Sequence, residues 1–262
     1  MTDDAPGRPG EHRRPTKAER KEKARREREE LERRMASKRR ARTVGIVAGA
    51  VVIAAVVFAA TLLPSSGGDF PEPANLLQQA ATAATTAGCG DVQTTPDFDP
   101  SENDRSHITT GQIQPLSSYP TIPPASGPHA DVPLPAGVYD SLTQPQLFQA
   151  IHSLEHGATI VWYDPTAPTG SIEQLTEFYD RRVQDASVGQ DRVIVAPFDF
   201  PDDPAGILPE GTRMAVVAWH RLRLCEDVDL AVAFDFTSQF SSPTAENRGY
   251  VGVAPEAGAS LG

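Results

Sequence analysis

The chain has 262 residues, 39% of them hydrophobic, and a formal charge of −11. That charge is unevenly spread: residues 1–42 hold 16 of the 24 Lys and Arg against 9 acids, whereas residues 64–262 hold 8 Arg, no Lys and 26 acids. The acidic part excludes a nucleic-acid-binding domain, which needs a basic face for phosphate, and the clustered hydrophobic residues exclude a wholly disordered chain.

Residues 1–16 are polar, contain Pro and Gly, and read as disordered. Residues 17–42 are dense in Glu, Lys, Arg and Ala, and pairs such as Glu22–Arg26 and Glu29–Arg33 support a solvated helix. Only Leu31 and Met35 can pack there. The segment suits anionic lipid headgroups or a cytoplasmic partner, or simply fixes topology. Thr43 to Leu63 carries no charge. As a helix it spans about 31 Å, against roughly 30 Å of bilayer hydrocarbon. Arg39, Arg40 and Arg42 flank its N-terminal end, and no Lys or Arg follows until Arg105. The positive-inside rule then gives a single-pass cell-membrane protein with a cytoplasmic N-terminus and an extracytoplasmic C-terminal domain. A cleaved signal peptide would have a shorter basic lead and a shorter apolar core.

Pro64 to Pro73 opens a linker that runs to residue 84, and residues 74–87 are expected to form a weak helix leading into Cys89. The domain proper is expected over 85–245. Residues 92–144 are Pro-rich and should form a long irregular arm with short extended pieces such as His107–Thr110. Thr143 and Gln146 have capping-box spacing, so a helix should run to about His156 with Gly157 as its stop. Ala158–Tyr163 reads as a buried strand. Ser171 and Gln174 form a second capping box, opening a helix with Ile172, Leu175 and Tyr179 on one face. Arg192–Phe198 and Arg213–Leu224 each read as a strand, and Asp227–Phe240 as a closing helix. Residues 246–262 read as a loose tail. The fold class is α/β: a small mixed sheet with packed helices and a long Pro-rich arm, preceded by one transmembrane helix. The only cysteines, Cys89 and Cys225, both fall on the outer side, where such pairs are oxidised. They are expected as one disulfide, the alternative being two separate buried thiols.

Five histidines lie outside: His107, His129, His152, His156 and His220. On a helix His152 and His156 share a face, with Cβ atoms about 5–6 Å apart. A helical wheel puts Leu147, Phe148, Ile151 and Leu154 in the core stripe and both histidines beside it. Glu155 falls inside the apolar arc, where a carboxylate needs a partner. It could orient a ligating imidazole by a hydrogen bond. His129 follows the stiff loop TIPPASGP. With His107, these residues offer three or four imidazole nitrogens, a set suited to zinc or copper. The alternative is hydrogen-bonded packing. His152-Ser-Leu-Glu155-His156 also spells H-x-x-E-H, in which two His hold zinc and Glu155 would be the catalytic base. That chemistry needs a third carboxylate ligand from a further helix, for which Glu226 or Glu173 is a candidate by position alone. The acidic run Asp199–Asp203 is better explained as a solvated loop than as a calcium site.

PPASGPH (123–129), PAGVYD (135–140) and HSLEHGATIVWYDP (152–165) resemble a bacterial family of unknown function, numbered 3105. The AGC segment at Cys89 and the Ala218–Trp219 pair fit the same pattern, so the resemblance covers roughly residues 85–245. It implies a shared fold, a shared His129, His152 and His156, and commonly export or a membrane anchor. His107 fits its layout and His220 lies outside its motif. It implies no activity.

Together these features point to a membrane-anchored protein that binds zinc or copper through His152, His156, His129 and His107, in metal handling at the cell surface. A structural or accessory subunit of a membrane or envelope complex is the alternative, docking through the 74–87 segment or the C-terminal tail. A zinc hydrolase is third.

Overall fold

A computed structural model describes residues 71–99, 104–109, 112–184, 191–242 and 250–261. The basic segment 1–42, the expected membrane span 43–63 and the start of the linker lie outside the described residues. No helix among the described residues is long and apolar enough to cross a membrane.

The elements follow in chain order as α1 (Pro73–Thr86), β1 (Gln93–Thr94), β2 (His107–Ile108), β3 (His129–Ala130), β4 (Gly137–Val138), α2 (Gln144–Glu155), β5 (Thr159–Tyr163), α3 (Thr169–Gln184), β6 (Val193–Pro197), β7 (Met214–Ala218), β8 (Arg221–Cys225) and α4 (Leu230–Phe240). Six strands form a mixed sheet in the order β1-β8-β7-β5-β6-β4. Strand β6 runs parallel to β4 and β5, and β7 runs antiparallel to β5 and β8. Helix α3 is the crossover that parallel β5 and β6 require.

β5, β6 and β7 are buried along their whole length, as strands covered on both faces must be. Side chains alternate across the sheet. Val161 and Tyr163 face one core with Leu76 of α1, Leu175 and Tyr179 of α3 and Phe234 of α4. Ile160 and Trp162 face the other core with Leu147, Phe148, Ile151 and Leu154 of α2 and with Leu116 and Tyr119 of the arm. Each such aliphatic side chain contributes about 1.5–3 kcal/mol on burial. The Pro-rich arm is thus a second covering layer on the α2 side. It is pinned by Asp203, whose Oδ2 accepts from the Leu116 N–H at 2.8 Å and whose Oδ1 accepts from the Ala205 N–H at 2.9 Å. The acidic run at 199–203 therefore has a structural use.

The capping box at α2 forms, the Thr143 N–H donating to Gln146 Oε1 at 2.9 Å, and Gly157 ends the helix with φ 84°. Cys89 and Cys225 form a disulfide, S–S 2.06 Å. Four readings need correction. The helix expected over 74–87 forms as α1 and buries Leu76, Ala80 and Ala84, so the linker bound at residue 84 is too late. Helix α3 begins at Thr169, two residues before its expected cap Ser171. Arg213–Leu224 is two strands, a hairpin in which Ala218 pairs with Arg221. Its turn is Trp219–His220, and His220 takes φ 54° where Gly or Asn would normally announce a turn. The tail is not loose over 250–261: Val251 N–H donates to Gln239 O and Glu256 N–H to Glu155 O, each at 3.0 Å, and Gly258 N–H to His156 O at 3.1 Å.

Candidate metal centre

Three segments bring the imidazoles together. β2 and β3 pair in parallel with His107 opposite His129. The C-terminal turn of α2 supplies His152 and Glu155, with His156 as its cap. The α2 wheel therefore gives the right face, and the two-strand pairing adds what no local pattern reveals.

His129 and His152 are buried, and Glu155 is 1% exposed. The His107 side chain is 50% exposed and forms the outer wall. Its ring stacks on His152 (centroids 4.9 Å, 12° between planes) and meets His129 edge-on at 5.0 Å. The donor atoms of His107, His129, His152 and Glu155 all lie within 4.8 Å of one another. His156 groups instead with Glu155 and Glu256, although its Nε2 is 2.9 Å from Nε2 of His152.

The hydrogen bonds fix the tautomers. His129 Nδ1 lies 2.8 Å from Gly127 O, His152 Nδ1 2.6 Å from Ala130 O, and His156 Nδ1 2.5 Å from Ser260 O. A carbonyl only accepts, so each Nδ1 carries the proton and donates it. Each Nε2 then presents a lone pair to the centre. His129 Nε2 faces Glu155 Oε2 at 3.1 Å, and the two Nε2 atoms of His152 and His156 face each other. Acceptors held against acceptors at this distance call for a cation or a proton between them. Burial opposes the proton: it pushes the His129 imidazole down to about 4, and lowers His152 as well.

The spacing fits one ion. Four donors placed tetrahedrally at zinc–nitrogen distances would lie about 3.3 Å apart. Within that set the contacts at 3.1 Å (His129 Nε2 to Glu155 Oε2) and 3.9 Å (His107 Nε2 to Glu155 Oε2) bracket that value. Among the described residues no thiolate or thioether competes, since both cysteines are in the disulfide and Met214 is fully buried in the core. These His and Glu groups can therefore hold a metal ion.

Glu155 is more than an orienting group, because it stands among the donors. Arg105 donates from Nε to Glu155 Oε1 and from a terminal nitrogen to Glu256 Oε1, and its pKa is raised, chiefly by the bond to Glu155. Oε2 faces His129, and almost none of the side chain reaches solvent. A general base of the H-x-x-E-H kind must instead face an open position. Neither Glu226 nor Glu173 belongs to any of the His and acidic groups able to share an ion among the described residues. Sequence reasoning missed Arg105 and Glu256. Arg105 did carry a signal, as a lone basic residue two positions before His107 in an acidic stretch. Glu256 carried none, because only the return of the tail brings it here.

No curated protein and no solved structure matches this chain. The family model described as a protein of unknown function, DUF3105, matches residues 112–251, which include His129, His152, Glu155 and His156 but not His107. That segment is more than half of the chain, and the chain belongs to the DUF3105 family.

Proposed function

We propose that this protein binds a transition-metal ion, zinc or copper(II), through His107, His129 and His152 with Glu155, and that His156 joins through its contact with His152. The observation that carries this reading is the tautomer pattern. Three imidazoles are each locked by Nδ1 onto a backbone carbonyl, so that bare Nε2 atoms converge with a buried carboxylate. Carbonyl bonds of this kind are what orient metal-ligating imidazoles. The uncharged stretch 43–63 with Arg39, Arg40 and Arg42 before it supports a membrane anchor with the domain outside, and the site then serves metal handling at the cell surface. The alternative role as an accessory subunit gains less: the 74–87 segment turns its apolar face onto α4.

The test is elemental analysis of the purified full chain beside the His152→Ala/His156→Ala double variant, each stripped with chelator and then dialysed against zinc or copper. One equivalent at this centre, lost in the double variant while its circular dichroism is retained, is expected. Metal content equal in the two proteins would overturn the proposal.

A further inference from the structure

A second group of donors lies at the tip of the β7–β8 hairpin, beside Trp219. The Trp219 ring stands 5.9 Å from that of His129 and 5.6 Å from that of His220. His220 is held there by its backbone. Its N–H donates to Ala125 O at 3.0 Å, its carbonyl accepts from the Thr95 N–H at 3.2 Å, and its φ is 54°. An L-residue that is not Gly occupies that region only when its surroundings fix it. The side chain is anchored as the first three imidazoles are. Nδ1 lies 3.2 Å from Thr95 O, with the hydroxyls of Ser126 and Thr95 at 3.4 and 3.5 Å. Nε2 is therefore turned toward two carboxylates, Asp104 Oδ2 at 3.2 Å and Asp97 Oδ1 at 3.6 Å.

Asp104 supplies the second observation. Its side chain is 10% exposed. Oδ1 accepts the Phe98 N–H at 2.9 Å, whereas Oδ2 is buried with no hydrogen-bond partner among the described residues. A buried carboxylate oxygen without a donor is costly, and this one lies 3.2 Å from His220 Nε2, a contact that calls for a proton or a cation between them. The three donor atoms lie within 4.8 Å of one another, beside a cavity of about 290 Å3 lined also by Arg105 and Trp219. Arg105 is paired with Glu155 and Glu256.

We infer that Asp97, Asp104 and His220 form a second cation site, separate from the first, which takes a divalent transition metal and leaves part of its coordination sphere open to the cavity. One imidazole with two carboxylates suits zinc, iron(II) or manganese(II) and is too nitrogen-bearing for an all-oxygen calcium cage.

The test titrates chelator-stripped full chain with zinc and counts bound metal by elemental analysis. Asp97→Asn, Asp104→Asn and His220→Gln are measured alongside the His152→Ala/His156→Ala variant. Asp97 is 61% exposed, so its substitution leaves the fold intact even if the other two variants do not fold. Two equivalents are expected in the unaltered protein. Asp104→Asn and His220→Gln should each bind one fewer, and Asp97→Asn should weaken that equivalent about tenfold or more. If Asp97→Asn and the folded members of the other two bind zinc as the unaltered chain does, the second site does not exist and His220 is only an ion-pair partner. One equivalent that survives in the His152→Ala/His156→Ala variant but vanishes in Asp104→Asn supports this site, whatever becomes of the first. A single equivalent removed by the His152→Ala/His156→Ala change would uphold the first site and overturn this one.

Discussion

His129 is the residue whose chemistry is most altered by its surroundings. An imidazole in water titrates near 6.5. In the fold, burial pushes His129 down to about 4, against the opposing pull of the Gly127 carbonyl and Glu155; His152 and His107 push it the same way as burial does. The unfolded chain therefore holds more protons than the folded one between about 4 and 6.5, and stability rises with pH across that window. The stabilisation is complete above the unfolded value and is lost as pH falls toward about 4, to an extent of order 3 kcal/mol. His152, shifted in the same direction, adds to the slope. Urea unfolding of the chelator-stripped protein at pH 7.5, 5.5 and 4.5 should show the midpoint falling with pH, and less steeply in His129→Gln. Equal slopes in the two proteins would contradict the burial argument. The sequence located His129 after a stiff loop and Glu155 in an apolar arc. It could not show that the two meet, because 26 residues and a change of layer separate them.

Helix α2 was legible because its signals are local: Thr143 and Gln146 cap one end, Gly157 ends the other, and the apolar spacing marks the buried face. The β7–β8 hairpin was not, because RMAVVAWHRLRL contains none of the residues that normally announce a turn. A continuous apolar and basic run reads as one strand until pairing with a neighbour folds it back. Gly157 then does more than stop a helix. It holds φ 84°, its carbonyl accepts the Ser242 N–H at 2.8 Å, and a Cβ on it would lie 3.1 Å from Ser242 Cβ and 3.2 Å from Ala257 Cα. The tail that crosses here also supplies the Ser260 carbonyl to His156. Gly157→Ala meets both an unfavourable backbone region and a crowded one, so it should destabilise by more than about 1 kcal/mol. It should also weaken metal binding by displacing His156. Chemical denaturation and a zinc titration check the two effects, and an unchanged unfolding midpoint would show that the tail does not press on this position.

Across the whole domain, the disulfide and the candidate metal centre lie on opposite sides of the sheet. Cys225 belongs to the core shared with α1, α3 and α4, whereas α2, Trp219 and the arm belong to the other. Neither the strand order nor the docking of α1 was legible in the sequence, because both depend on contacts across most of the chain. The compartment argument for the cysteines did find one such contact. Cys89 follows α1 directly, and its neighbours reinforce the link: Gly90 N–H donates to Leu224 O, and Ala87 O accepts from the Glu226 and Asp227 N–H groups. The crosslink spans 136 residues, long enough that its removal should free considerable chain entropy in the unfolded state and cost about 2–5 kcal/mol of stability. Cys89→Ser/Cys225→Ser should accordingly lower the denaturation midpoint, as should reductant added to the unaltered protein. Metal content at the His129 centre should stay at the unaltered value as long as the variant remains folded, because β2, β3 and α2 carry the site without help from α1. If the midpoint does not move, the hydrogen bonds at Ala87 and Gly90 already hold α1 in place. If metal is lost from folded protein, the two faces are coupled through β8 and the hairpin that bears Trp219.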